Sequence, residues 1–96
     1  MGKITKLLVI TGEIESLDPT QTIYASEPWG FESEAVLAYE PESGGIPKIA
    51  IDLGLTYFLE VFIAQEIIAD WKSTLKKQPT ADEKCIRLIQ YALNDA

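Results

Sequence analysis

The stretch "LTYFLEVFIAQEIIADWKSTL", residues 55–75, decides the fold because its pattern of apolar residues changes partway along. Residues 55–60 are rich in aromatic, apolar and β-branched side chains, which is typical of a buried strand. From residue 61 onward, apolar side chains recur every four residues, which predicts an amphipathic helix over residues 61–75. The recurring positions are Ile63, Ile67, Trp71 and Leu75. One short segment therefore predicts a strand followed directly by a helix.

Two further strands are predicted upstream, in "QTIYA" (21–25) and "EAVLAYE" (34–40), both of which are rich in residues that favour strands. In the second strand, Ala35, Leu37 and Tyr39 would share one face of the sheet. Each strand is followed by turn-forming residues, which suits short antiparallel connections.

Helices are predicted at the N-terminus and before the third strand. Residues 3–17 place apolar side chains three, four or seven positions apart, and a helix there would stop before Pro19. A strand over residues 4–11 is the alternative. Residues 47–53 fit either a short helix or a strand, and we favour the helix because Pro47 and Gly54 are typical of helix ends.

The C-terminal part predicts a final helix that begins with a capping box, "TADE" at residues 80–83. We expect this helix to bury one continuous apolar face, formed by Cys85, Ile86, Ile89, Ala92 and Leu93. Residues 1–96 are thus predicted to form a single α+β domain. Its order is helix, two strands, short helix, strand and two helices, with a small, largely antiparallel sheet of about three strands.

Residue types that are missing or rare limit the chemistry that is open to the chain. It contains no histidine, the commonest general base and metal ligand, and it contains a single cysteine. Cys85 has no cysteine to pair with, and we expect it to lie in the core. The longest purely apolar stretches, residues 7–10 and 61–64, are far shorter than the roughly 20 residues of a membrane span. These observations predict a soluble, cytoplasmic, non-enzymatic protein without catalytic residues, cofactor or metal, and without membrane contact.

The net charge of −7 is concentrated in the first half of the chain. Between Lys6 and Lys48 there is no base, and the eight acids there are Glu13, Glu15, Asp18, Glu27, Glu32, Glu34, Glu40 and Glu42. Most bases lie beyond residue 71. An acidic protein is repelled by phosphate backbones, so we expect no nucleic-acid binding. The acidic half instead predicts another protein, of basic character, as the partner.

The segment "IYASEPWGFESEAVL", residues 23–37, contains the candidate partner-binding residues. Exposed aromatic residues often anchor interfaces, so Trp29 and Phe31 could contact a partner together with Glu27, Glu32 and Glu34. The alternative, which we favour, is that this loop closes one end of a small core. We expect the other aromatic residues to occupy core positions. The acidic pairs, including Glu66 and Asp70, have neither calcium-loop spacing nor histidine partners, and they fit a solvated surface.

The chain resembles a family of small uncharacterised bacterial domains that have a Pro-Trp loop, a Gly-Leu-x-Tyr-Phe-Leu strand and two C-terminal helices. The matching positions are Pro28 and Trp29, followed by Gly54, Leu55, Tyr57, Phe58 and Leu59. This resemblance supports the α+β order and the strand at residues 55–60. The family has no assigned function, so it implies no activity and no site residue.

Two classes of function remain open. The first is a protein–protein interaction module, in its most specific form an immunity- or antitoxin-like inhibitor of a basic effector. The alternative is a small enzyme or ligand-binding domain that uses carboxylates, and it would require a pocket of a few hundred Å³ where two acids converge. Pairing of apolar helix faces would additionally give a homodimer.

Overall fold

The computed structural model describes residues 4–95, and within them four strands form one antiparallel sheet in the order β1-β3-β2-β4. The elements are β1 Thr5–Lys6, α1 Leu7–Gly12, β2 Thr22–Ala25, β3 Glu34–Ala38, α2 Lys48–Leu53, β4 Thr56–Glu60, α3 Val61–Lys72 and α4 Ala81–Asp95, with a 3-10 turn at Ile14–Ser16. The α+β prediction is confirmed, with four strands instead of about three.

The additional strand comes from the N-terminal segment, where the helix predicted over residues 3–17 is confirmed only in part: α1 and the 3-10 turn lie within it, but Thr5–Lys6 form a strand. Thr5 pairs with Ala35 of β3, and the chain turns into α1 directly afterwards. The N–H of Leu7 donates to the carbonyl of Ser33 at 2.8 Å, so a distant part of the chain accepts the hydrogen bond of the first backbone N–H of the helix. A prediction from local periodicity cannot take such long-range hydrogen bonds into account. Lys3 lies outside the described residues.

The main core lies between one face of the sheet and the helices α1, α3 and α4. Its fully buried side chains include Leu7 from α1, Ile23 from β2, Ile68 from α3 and Leu88 from α4. Where β2 pairs with β4, a register shift inserts Phe58 into β4. Because a bulge re-aims a side chain, Phe58 and Leu59 both pack in this core although they are consecutive.

The opposite face of the sheet is partly covered by α2, which confirms the short helix predicted over residues 47–53. Tyr24, Val36, Ala50 and Leu55 form a second, smaller cluster there. The helix ends at Gly54, whose φ of 72° is the left-handed conformation that glycine adopts without steric cost.

The last two helices begin and end close to their predicted positions. The capping box of α4 is present, because the N–H of Thr80 donates to Glu83 Oε1 at 2.8 Å and the N–H of Glu83 donates to Thr80 Oγ1 at 3.2 Å. No helix within residues 4–95 is both long enough and apolar enough to cross a membrane.

The predicted buried face of α4 is wrong for two of its five residues. Cys85 and Ala92 are buried and Ile89 is half-buried, but Ile86 and Leu93 are 46% and 65% exposed. At 100° per residue these two lie about a quarter turn away from Cys85, beyond the surface that α4 buries. The buried face is completed instead by Leu88.

Candidate functional site

A shallow pocket of about 380 Å³ opens at the end of the sheet where β2 begins. Its lining residues are Pro19, Thr20, Gln21, Thr22, Glu40, Glu60 and Phe62. Glu60 ends β4 and pairs with Thr22, whereas Glu40 follows β3 on the other side of β2. Because β3 and β4 both pair with β2, Glu40 and Glu60 lie on opposite sides of that strand. We call this feature the acidic pocket.

The electrostatics of the acidic pocket are one-sided. Of the described residues that line it, two are acidic and none is basic. Glu40 is exposed and Glu60 is half-buried, and no ion pair within residues 4–95 involves either carboxylate. Phe62, which is 46% exposed, adds an apolar wall. A negatively charged pocket with an exposed aromatic ring suits a cationic group.

The negative charges of these carboxylates contribute to raised pKa values of two tyrosines on the same face of the sheet. Burial is the main cause that raises the pKa of Tyr24, which is 1% exposed, and the negative charges of Glu40 and Glu60 raise it further. A hydrogen bond with Thr22 acts in the opposite direction. Burial likewise raises the pKa of Tyr57, with the charges of Glu60 and Glu40 as additional causes. Both phenols therefore stay protonated near neutral pH and offer hydroxyl groups rather than bases.

The predicted partner-binding aromatics lie elsewhere, on the main core. Trp29 and Phe31 are half-buried and pack against it. The Trp29 ring meets the Phe58 ring edge-on with 4.9 Å between centroids, and its Nε1–H donates to the carbonyl of Ala25 at 3.3 Å. This arrangement is what a loop that closes the core requires. A role for the two side chains in partner binding stays a prediction.

The three acids predicted to accompany these aromatics, Glu27, Glu32 and Glu34, are exposed, but none of them lines the acidic pocket. Glu32 forms an ion pair with Lys6 at 2.7 Å, which joins the loop to β1. Neither Glu27 nor Glu34 takes part in an ion pair within residues 4–95. Of the eight acids between Lys6 and Lys48, only Glu40 lines the acidic pocket, so the structure separates it from the three candidate acids.

Other titratable residues serve the packing of the helices. Glu15 accepts from Lys72 of α3 and Lys84 of α4, and the hydrogen bond with Lys72, followed by that with Lys84, lowers the pKa of Glu15. Burial raises the pKa of the Cys85 thiol, which favours its unreactive protonated form. Within the described chain, no three acidic, cysteine or histidine side chains are placed to hold a metal ion together.

The sequence interpretation missed the acidic pocket because it assigned the remaining aromatics to the core. Tyr24 and Phe58 are buried, but the exposed ones are Tyr39, Tyr57, Phe62 and Tyr91. Strand alternation does contain a signal, because Thr22 and Tyr24 share a face and Glu40 continues the face of Val36 and Ala38. The position of Glu60 opposite Thr22 depends on the pairing of β2 with β4, which one sequence does not reveal.

Comparison with family models, with curated proteins and with solved structures finds no match for this chain. The resemblance to a family of small bacterial domains consequently stays a prediction, and the function has to be argued from the geometry.

Proposed function

We propose that this protein is a non-enzymatic interaction module that binds a basic segment of another protein at the acidic pocket. The observation that carries the proposal is that Glu40 and Glu60 flank one pocket without a basic partner in the described structure. A lysine or arginine from a partner would supply the missing charge. Its alkyl stem or guanidinium would contact Phe62.

The charge distribution of the chain supports this proposal. The net charge is −7, so the whole molecule attracts a basic partner at long range, and the pocket supplies a specific position at short range. An inhibitor of a basic effector, in the manner of an immunity protein or antitoxin, is the most specific form of this function. We place its action in the cytoplasm. A homodimer through the exposed Ile86 and Leu93 of α4 would leave the acidic pocket free.

The test compares two double variants with the same net charge. In Glu40→Gln/Glu60→Gln the pocket loses both charges, whereas in Glu13→Gln/Glu66→Gln two exposed acids outside the pocket are neutralised. Partners captured from native lysate at low and moderate salt are identified, and their affinities for all three proteins are then measured with purified components. Exposed charges contribute about 0.2–1 kcal/mol each, so the pocket variant should bind about tenfold more weakly.

A partner that weakens with salt and with the pocket variant, while it tolerates the control variant, is the expected result. Equal affinity for both double variants would show that only net charge matters and would refute the pocket. Circular dichroism of each variant confirms that it is folded before affinities are compared.

The second candidate is a carboxylate-dependent hydrolase that uses the same pocket. Its support is that Glu40 and Glu60 both line the pocket, since glycoside hydrolysis uses a pair of carboxylates. An assay on a panel of glycosides would test it, with each single Gln variant as a control. Activity that either substitution removes would favour the enzyme, and activity that both variants keep would exclude these two residues.

A further inference from the structure

A second pocket, of about 280 Å³, lies between α3 and α4 and shares no lining residue with the acidic pocket. Its lining residues are Ile67, Arg87, Gln90, Tyr91 and Asn94. The four residues from α4 fall within about 100° of one another around the helix, so they lie on one face of it. Their side chains include one guanidinium, two amides and a phenol, and the apolar Ile67 of α3 lies beside them.

Arg87 is the charged group of this pocket, and the structure gives it no carboxylate. Its guanidinium lies over the ring of Trp71, with Cζ 5.1 Å from the ring centroid. No ion pair within residues 4–95 involves Arg87, although Glu66 and Asp70 lie on the same helix as Trp71. The contact with the ring restricts the guanidinium, so less freedom is lost when its N–H groups bind an anion.

The two helices that form this pocket belong to the less acidic part of the chain. The first half of the chain is acidic, but α3 ends with Lys72, and Lys76 and Lys77 follow it. Lys72 is engaged by Glu15, and the other two have no described ion pair. Residues 61–95 contain five acids and five bases, so this part of the chain repels an anion less strongly than the acidic first half does.

We propose that the α3–α4 pocket binds a carboxylate attached to a small apolar group. Arg87 would donate two parallel N–H bonds to the carboxylate oxygens, which is the geometry that a guanidinium favours. The side-chain amides of Gln90 and Asn94 would donate to the same group, and Ile67 would contact the apolar part. The volume is at the small end for ligand pockets, so it suits one aliphatic side chain rather than a large ligand.

Nuclear magnetic resonance titration of the full chain tests this inference. The first probe is acetyl-Ala-Leu with a free carboxylate, and its control is the same peptide with an amidated C-terminus. A third titration uses 4-methylpentanoate, which distinguishes a small acid from a peptide terminus as the source of the carboxylate. We expect the free-acid probes to shift the Arg87 Nε–H and Trp71 Nε1–H signals, whereas the amide does not.

Three variants complete the experiment. Arg87→Gln should weaken binding of the free acid at least tenfold, and Arg87→Lys, which keeps the charge but loses the paired N–H groups, should give an intermediate loss. Lys76→Gln is the matched control outside the pocket and should bind as the wild type does. Equal shifts with the amidated peptide, or unchanged binding by a folded Arg87→Gln variant, would overturn the proposal.

Discussion

Replacement of Glu15 by Gln should destabilise the protein more than any other single removal of an exposed charge. Glu15 stands in the 3-10 turn after α1 and accepts from Lys72 of α3 at 2.5 Å and from Lys84 of α4 at 2.7 Å. One carboxylate thus ties three segments together. Only the carbonyl of Gly12, at 3.4 Å, is a further described acceptor for the Lys84 amine.

The expected loss in the free energy of unfolding follows from how exposed the two lysines are. The Lys84 side chain is only 12% exposed, and a hydrogen bond to a charged group contributes about 1.5–3 kcal/mol. Lys72 is 29% exposed and Glu15 is 41% exposed, so solvent screening leaves their pair about 0.2–1 kcal/mol. Because the Gln amide oxygen keeps one acceptor, we expect a net loss of about 2 kcal/mol. For a chain of this size that lowers Tm by roughly 10 °C.

The assay is urea denaturation of the wild type, Glu15→Gln and a matched control, Glu32→Gln, at several pH values. Glu32 forms one ion pair, with Lys6, and the two side chains are 75% and 57% exposed, respectively. The control changes the net charge by the same amount, and it should lose less than about 1 kcal/mol of unfolding free energy. Because the pKa of Glu15 is lowered from its ordinary 4.5, its stabilisation is complete above pH 4.5 and is lost as the pH falls through the lower folded-state value. Equal losses in both variants, or a difference between them that does not shrink with acid, would refute this reasoning.

Two further pairs of substitutions test how the core is assigned. Trp29→Ala should cost about 2–3 kcal/mol in urea denaturation because the edge-on contact with Phe58 and the packing on the main core are lost, and Trp29→Phe should cost less. A folded Trp29→Ala variant with wild-type stability and impaired partner binding would instead favour the interface interpretation. On α4, Leu88→Ala should cost about 3 kcal/mol, whereas Leu93→Ala should stay within about 0.5 kcal/mol because that side chain is 65% exposed. Similar losses at both positions, measured by thermal unfolding, would contradict the buried face described for this helix.

Several elements of the fold could be predicted because local chemistry alone specifies them. The change of period at residues 55–75 marks β4 and α3, and the capping box at Thr80 marks the start of α4. Pro47 and Gly54 delimit α2 for the same reason, since both residues restrict or permit particular backbone conformations. In each case the residues that decide the conformation are neighbours in the chain.

The candidate site could be predicted only in part from the sequence. The concentration of acids in the first half of the chain was visible, and it remains the basis of the proposed basic partner. The sequence analysis, however, named Trp29 and Phe31 as candidate binding residues, whereas Glu40, Glu60 and Phe62 are the residues that line the acidic pocket together. Glu40 lies some twenty residues before Glu60 and Phe62, and only the pairing of β3 and β4 with β2 brings it close to them.

What the sequence determined by itself is the class of the fold, the acidic character and the limits on chemistry set by the absence of histidine. Only the tertiary structure decided that Thr5–Lys6 joins the sheet, that Leu88 rather than Leu93 faces the core, and that two carboxylates share one pocket. The physical reason is that periodicity and capping act between neighbouring residues. Strand register, the depth of helix burial and the convergence of charges depend on partners that are distant along the chain.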